Sequence, residues 1–290
     1  DKELVAEYSH GTPNDWIERN LYKRFSSKGI LLMLTINLIL FGIPGISIWA
    51  IQMMWIPVWA AGVVNGIGHF WGYRNFECQD AATNIFPWGF WIGGEELHNN
   101  HHTFASSAKF SIKWWEFDIG WMYIRMLSFL GLADVKKLPP QLAIEEGKLH
   151  VDLDTVKAVI GNRFQIMSNY YKGVVCPMLQ QVKRSHVKNK HDRKLFQRAG
   201  VLLRRQEKLL SPGASSHLNA LLERYEQLRV VYAYRQSLQN VWLKTAVSQK
   251  ELVEALQQWC KQAEESGLEV LREFALQLKG YVPKTAMVNA

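Results

Sequence analysis

The sequence predicts an all-α protein: a membrane helical hairpin with interfacial helices, followed by a soluble α-helical tail. Three observations carry this. From Gly29 to Tyr73 the chain holds no Asp, Glu, Lys or Arg. His98, His101 and His102 are spaced i, i+3, i+4, so on a helix they share one face. Beyond Pro140 the chain turns polar and basic, with apolar residues at helical period. We place the boundary there, giving a membrane module in residues 1–140 and a helical region in residues 141–290.

Composition sets the frame. The 290 residues carry a formal net charge of +8. That suits a membrane protein whose loops and tail face anionic headgroups. Charge alone is also compatible with nucleic acid, but no nucleic-acid partner is expected. Cys78, Cys176 and Cys260 are widely separated and form no CxxC pair, which points to a reducing compartment without a disulfide scaffold.

Residues 1–28 are polar. A Gly11–Asp15 turn, with Asn14 or Asp15 as cap, leads to a helix from Trp16 to Phe25. Its Trp16, Leu21 and Phe25 lie beside Arg19, Lys23 and Arg24, the pattern of a helix on a membrane surface. His10 reads as an ordinary surface residue.

Gly29–Ile51 is long enough to span a bilayer, which takes about 20 apolar residues. Pro44 would kink that span or mark its outer end. Met53–Gly68 is the return, with the turn at Gln52. Basic residues flank both ends: Arg19, Lys23, Arg24 and Lys28 before, Arg74 after. The positive-inside rule puts both on the cytoplasmic side. Phe86–Gly94 is apolar, aromatic and too short to cross, so it should dip into the interface. Lys113–Leu132 reads as an amphipathic interfacial helix, anchored by Trp114, Trp121, Ile124 and Leu127 or Leu130.

The histidines point to a metal. Three imidazoles on one face would repel one another if protonated, and imidazole is the commonest biological metal ligand. The alternative is a polar run with incidental histidines, yet a third of the chain's nine fall here. His69 follows Asn65 by four residues at the end of the apolar run, so both face one way on a helix. We read His69 as a fourth ligand and Asn65 as a weaker one, acting through a water. Glu95 and Glu96 would orient imidazole N–H groups from behind, or merely favour a helix N-terminus.

Asn65-Gly66-Ile67-Gly68-His69-Phe70-Trp71-Gly72-Tyr73-Arg74 and Gly94-Glu95-Glu96-Leu97-His98-Asn99-Asn100-His101-His102-Thr103-Phe104 resemble the C-terminal part of membrane fatty acyl desaturases of the acyl-CoA Δ9 type. Ser107–Phe110 and Glu116–Trp121 extend the resemblance toward bacterial members, and it covers roughly Thr12 to Pro140. It implies an O2-dependent acyl-CoA desaturase that places a double bond in a saturated acyl chain. Two non-haem Fe2+ ions would be held by histidines, His69, His98, His101 and His102 among them. The partners implied are an acyl-CoA or lipid-linked acyl substrate, O2, membrane lipid, and a ferredoxin or cytochrome b5-type donor with its reductase. The location implied is a bacterial inner membrane, with the active site and both termini cytoplasmic.

Two departures matter. The family's two earlier histidine boxes have no counterpart here, since His10 alone precedes His69. The chain therefore reads as a C-terminal fragment, expected to be inactive by itself. Animal members carry Trp where Gly62 stands, so substrate contacts made there do not transfer.

In the tail, Asp154–Val175 reads as a helix closed by Pro177, Lys183–Lys208 as a basic solvated run, and Leu210–Ser216 as a linker. Further helices are expected at Leu218–Lys244, Gln249–Ser266 and Leu268–Gly280. Ser248 with Glu251 gives a capping box and Gly267 a stop. Tyr225, Leu228, Trp242, Leu256, Trp259, Leu271, Phe274 and Leu278 should form the core. Leu218–Tyr281 resembles in pattern the C-terminal helical end of some insertion-sequence transposases. His150, His186, His191 and His217 are scattered and read as non-ligands. Two alternatives stand beside the desaturase reading: a related histidine-box hydroxylase, and an inactive desaturase remnant fused to a DNA- or partner-binding module.

Overall fold

The computed structural model describes residues 15–25, 28–187, 190–243 and 248–284. The turn expected over residues 11–14 and His10 lie outside them. The chain divides into two compact units, Asp1–Val63 and Val64–Ala290.

In the first unit a π-helical turn, Glu18–Tyr22, runs into a short helix α1, Lys23–Phe25. Asp15 caps its start, accepting from the Glu18 amide at 2.8 Å. Helix α2 (Lys28–Phe41) and helix α3 (Pro44–Ile56) pack as an antiparallel hairpin. The turn sits ten residues earlier than the apolar run suggested, at Gly42 rather than Gln52. Gly42 adopts φ 64° and Pro44 opens α3. That order is physically reasonable. Glycine takes the left-handed turn without penalty, and proline fits the first helical position but not a helix interior.

Gly45 makes the hairpin tight: a Cβ there would lie 2.1 Å from the Asn37 carbonyl oxygen. Asn37 is buried and donates to Gln52 Oε1 at 3.1 Å and to the Met33 carbonyl at 2.9 Å. Trp49 Nε1 donates to the Ile30 carbonyl. The polar groups face inward, whereas Leu31, Leu32, Ile39, Leu40, Ile43 and Ile51 are exposed. This inverts the ordinary soluble pattern. The helical stretch Pro44–His69 is long and apolar enough to cross a membrane, with mean hydropathy 1.5. The bent pair Glu18–Phe25 and Lys28–Phe41 qualifies only if counted as one span. Helix α2 is about 21 Å long at 1.5 Å per residue, shorter than the ~30 Å hydrocarbon layer.

In the second unit, residues up to Pro140 form a platform with little regular structure. Its elements are the 3₁₀ turn Ile67–His69, strand β1 (Trp88–Gly89), helix α4 (His98–Thr103), strand β2 (Phe117–Asp118) and helix α5 (Ile119–Phe129). Strands β1 and β2 pair in parallel, Trp88 with Phe117 and Gly89 with Asp118. The helix expected from Lys113 begins only at Ile119. Glu116 accepts from the Ile112 and Lys113 amides, and Asp118 from those of Phe110 and Ser111. Those carboxylates hold the segment in a loop before Asp118 Oδ1 caps α5 through the Trp121 amide.

The tail is helical around one core, with helices α6 (Leu153–Gly161), α7 (Arg163–Tyr170), α8 (Cys176–His186), α9 (Lys190–Leu195), α10 (Ala199–Arg204), α11 (Pro212–Arg224), α12 (Glu226–Leu243), α13 (Gln249–Glu265) and α14 (Glu269–Lys279). The Ser248–Glu251 capping box and the Gly267 turn at φ 74° are present. Of the expected core, Tyr225, Leu228, Leu256, Trp259, Leu271, Phe274 and Leu278 are buried, and Trp242 packs half-buried against them. Ile166, Tyr170 and Val174 join the same core.

The tail differs from the sequence reading at several points. The helix expected over Asp154–Val175 breaks at Asn162, and that over Leu218–Lys244 breaks at Tyr225. The run Lys183–Lys208 buries Ala199, Leu202 and Leu203 rather than lying wholly in solvent. Pro177 does not close a helix; the π turn Tyr171–Val175 precedes it and the chain runs on into α8. A π turn rearranges the carbonyl ladder where proline would clash. Pro212 opens α11, capped by Ser211, so the expected linker is a helix start. Strand β3 (Leu142–Ile144) pairs antiparallel with β4 (Tyr281–Pro283), tying the two ends of the tail together. The protein is thus mostly helical, with two short ladders added.

Candidate metal centre

The platform presents the clustered histidines from two directions. His69 ends the 3₁₀ turn, and His98, His101 and His102 stand on α4. Gly72, at φ +144°, lets the chain reverse between them; a Cβ there would lie 2.2 Å from the Asn84 carbonyl oxygen. Tyr73 and Asn84 then exchange backbone hydrogen bonds at 2.9 and 2.7 Å. Thr83 donates from its amide and its hydroxyl to the Gly68 carbonyl. Gly68 packs under the ring of His98.

Helix α4 has two working faces. Asn99 and Asn100, both buried, form the scaffold face. Asn99 Nδ2 donates to the Phe76 and Ala82 carbonyls, and its Oδ1 accepts from the Asn75 and Phe76 amides. Asn100 donates to Glu116 Oε2 at 2.9 Å. Tyr73 and Asn75 also donate to Glu116. With its backbone bonds to residues 112 and 113, that one carboxylate ties four stretches of chain together. The histidines occupy the other face.

His69, His98 and His102 form a cluster in which one ring nitrogen from each lies within 4.8 Å of the other two. His98 Nε2 and His69 Nε2 are 3.0 Å apart. Two imidazole nitrogens on one ion, each about 2.1 Å from it, lie roughly 3 Å apart, so the donor spacing fits a shared transition metal. His98 Nδ1 is buried and finds no hydrogen-bond partner among the described residues; Glu95 Oε2 stands 3.6 Å away. Burial pushes the Glu95 carboxyl up, but His98 and the charge of the other imidazoles hold it below the usual value.

His101 stands outside the tight triad. Its ring packs on Phe110 with centroids 4.6 Å apart, and its Nδ1 is buried without a hydrogen-bond partner among the described residues. Burial holds the imidazole below its ordinary pKa, and the other histidines add to this against Glu95. Glu96 is fully buried and accepts from the Trp91 and Ile92 amides, so these bonds shape the turn before α4 rather than hold an imidazole. Asn65 lies four residues before His69 in the π-helical stretch Pro57–Gly66, at an exposed position.

One participant carries no sequence signal. Asp80 Oδ2 accepts from His102 Nδ1 at 2.6 Å. Burial pushes the Asp80 carboxyl up, but the Ala82 amide, His102 and Cys78 bring its pKa down to about 2. Arg74 fixes the same loop by donating to the Asp80, Ala82 and Cys78 carbonyls. In the tail, His217 donates to the Leu195 carbonyl and His186 meets Tyr225 edge to face, so both serve packing.

The Δ9 acyl-lipid desaturase 1 of Arabidopsis thaliana is 31% identical over 150 residues, which is 48% of this chain and 47% of that protein. The sn-1 stearoyl-lipid 9-desaturase of Synechocystis is 39% identical over 118 residues, 40% of this chain and 37% of that one. The sn-2 palmitoyl-lipid 9-desaturase of a Nostoc strain is 42% identical over 90 residues, 31% of this chain and 30% of that one.

About half of the chain is similar to acyl-lipid Δ9 desaturases.

The chain spans half or less of the length of these relatives. A family model described as a transposase matches residues 160–287, a wider stretch than the resemblance read from the sequence. No solved structure matches.

Proposed function

We propose that residues 1–140 are the C-terminal part of an O2-dependent fatty acyl desaturase and that the clustered histidines are iron ligands. The observation that carries this is the His69–His98–His102 cluster in a chain similar to Δ9 acyl-lipid desaturases. His69, His98 and His102 would hold one Fe2+. His101, with Glu95 nearby, would serve a second together with histidines from other parts of a full desaturase. Asn65 would contribute through a water. When bound, the iron supplies the O2-activating redox chemistry that no acid or base side chain offers for an unactivated methylene.

The protein's own residues do the rest. Asn99, Asn100 and Glu116 fix the direction in which α4 presents its rings. Imidazole ligands resist the oxidation that would damage thiolates. The exposed apolar hairpin and the exposed Phe70, Trp71, Trp88 and Trp114 support insertion with an aromatic belt at the interface. We place the histidines at the cytoplasmic face of a bacterial inner membrane. The substrate is an acyl chain carried by lipid or CoA; the names of the relatives favour the lipid-linked form. Electrons come from a ferredoxin or cytochrome b5-type partner with its reductase.

A chimera tests this reading. Residues 12–140 replace the matching part of the Synechocystis relative in a desaturase-deficient host, and lipid-bound unsaturated acyl chains are measured. Product from the chimera, abolished by His98→Ala, supports the proposal. A membrane-inserted, iron-loaded chimera that yields only saturated lipid, or the hydroxylated acid, contradicts it.

The transposase match favours a second reading for the tail, in which residues 141–290 form a module binding DNA or a partner beside an inactive remnant. Salt-sensitive DNA binding by the full chain, with affinity falling steeply as salt rises, would support it.

A further inference from the structure

Among the clustered imidazoles, His102 has a carboxylate directly behind it. Asp80 Oδ2 lies 2.6 Å from His102 Nδ1. The carboxylate is itself held: its Oδ1 accepts from the Ala82 amide at 2.9 Å and from Cys78 Sγ at 3.2 Å. Arg74, whose side chain is buried, pins the backbone on either side through the Asp80 and Ala82 carbonyls at 3.1 and 2.7 Å. The group is therefore built to stay in place rather than left on a free loop. His98 differs, since Glu95 Oε2 stands 3.6 Å from its Nδ1, which has no hydrogen-bond partner among the described residues.

A carboxylate accepts only, so the proton on His102 must sit on Nδ1. Nε2 then carries the lone pair, and the cluster requires a lone pair on that nitrogen to bind a metal. A carboxylate behind a ligating imidazole also raises its basicity and fixes its ring.

We propose that Asp80 is a positioning residue that locks His102 in its metal-binding tautomer and thereby sets the metal affinity of the centre. The proposal rests on the reading of His69, His98 and His102 as ligands. Asp80 lies 22 residues before His102 and belongs to no histidine motif. The loop through Glu77 and Asp80 brings it behind the ring. Asparagine at this position would do the opposite of aspartate. Its Oδ1 would keep the Ala82 amide, and its NH2 would face His102 Nδ1. That drives the imidazole proton to Nε2, where it blocks the metal.

The test uses the full chain purified in detergent, with Co2+ as the probe and 15N-labelled histidine to read the tautomer without metal. Wild type should show His102 protonated at Nδ1 and should bind Co2+. Asp80→Asn should move the proton to Nε2 and weaken Co2+ binding about 10- to 100-fold. Asp80→Glu should restore most of both, which a merely structural loss at this loop would not. An Asp80→Asn chain that keeps the wild-type tautomer, or binds Co2+ as wild type does, overturns the proposal. A wild-type chain that has the Nδ1 tautomer but binds no Co2+ overturns the metal-centre reading instead.

Discussion

Glu77 and Arg204 form an ion pair at 2.9 Å that joins the platform loop to helix α10 of the tail. The Glu77 side chain is largely buried, and Arg74 approaches its other oxygen at 3.5 Å. Gln206 adds a hydrogen bond to the Glu77 carbonyl at 3.2 Å. The tail is thus fastened to the loop that supplies Asp80.

Arg204→Ala leaves the Glu77 carboxylate with Arg74 as its remaining ion-pair partner among the described residues. Removing one partner of a fully buried pair costs 3–5 kcal/mol. Arg204 is about a third exposed, so water takes up part of the loss and about 1–2 kcal/mol is expected. Chemical denaturation in detergent measures it. No change in midpoint would show that the pair contributes nothing.

The hairpin depends on Gly45. Gly45→Ala places a methyl group 2.1 Å from the Asn37 carbonyl oxygen, so α2 and α3 must separate. Overpacking of this kind costs about 1–3 kcal/mol, and the Asn37–Gln52 bond would stretch with it. Lower thermal stability in detergent is the expected outcome, with Gly29→Ala, which meets nothing within 4 Å, as the matched control.

Glu116 holds the platform together. Glu116→Ala leaves the Ile112 and Lys113 backbone amides, the Tyr73 hydroxyl and the Asn100 side-chain amide without this acceptor, while the Asn75 side-chain amide keeps Asn100 Oδ1. Each buried group left unmet costs about 1–3 kcal/mol. The platform should lose protection in hydrogen exchange while the tail core around Leu271 and Phe274 keeps it. Unchanged exchange over residues 73–118 would contradict this role.

Asp152 caps α6, accepting from the Thr155 amide at 2.8 Å, with Lys148 Nζ also at 2.8 Å. Against the upward push of what burial it has, these bonds bring its pKa to about 2. The folded value is below the unfolded one of about 3.9. Its contribution is therefore present above about pH 4 and lost as pH falls toward 2. Asp152→Ala should cost about 1 kcal/mol at neutral pH, and the gap from wild type should close in acid. A gap that persists at pH 2 would contradict the assignment.

How far the structure was legible in sequence follows from the range of each interaction. The Ser248–Glu251 box, the Gly267 stop and the shared face of His98, His101 and His102 are local, and spacing alone reveals them. The hairpin turn was misplaced because a run without charges offers little punctuation; the Gly42 and Pro44 pair was the available signal. The late start of α5 depends on Glu116 and Asp118 folding back onto residues 110–113, which helical period does not register. Asp80 stands far from His102 in the chain, and the β3–β4 ladder joins residues nearly 140 apart. Neither leaves a pattern in a single sequence.

Metal retention tests the central claim most directly. The full chain is loaded with Fe2+ without oxygen, desalted and assayed for iron beside the His69→Ala/His98→Ala/His102→Ala variant. The account predicts iron held by the wild type and lost from the variant. Equal retention by both, or none by either, would contradict it.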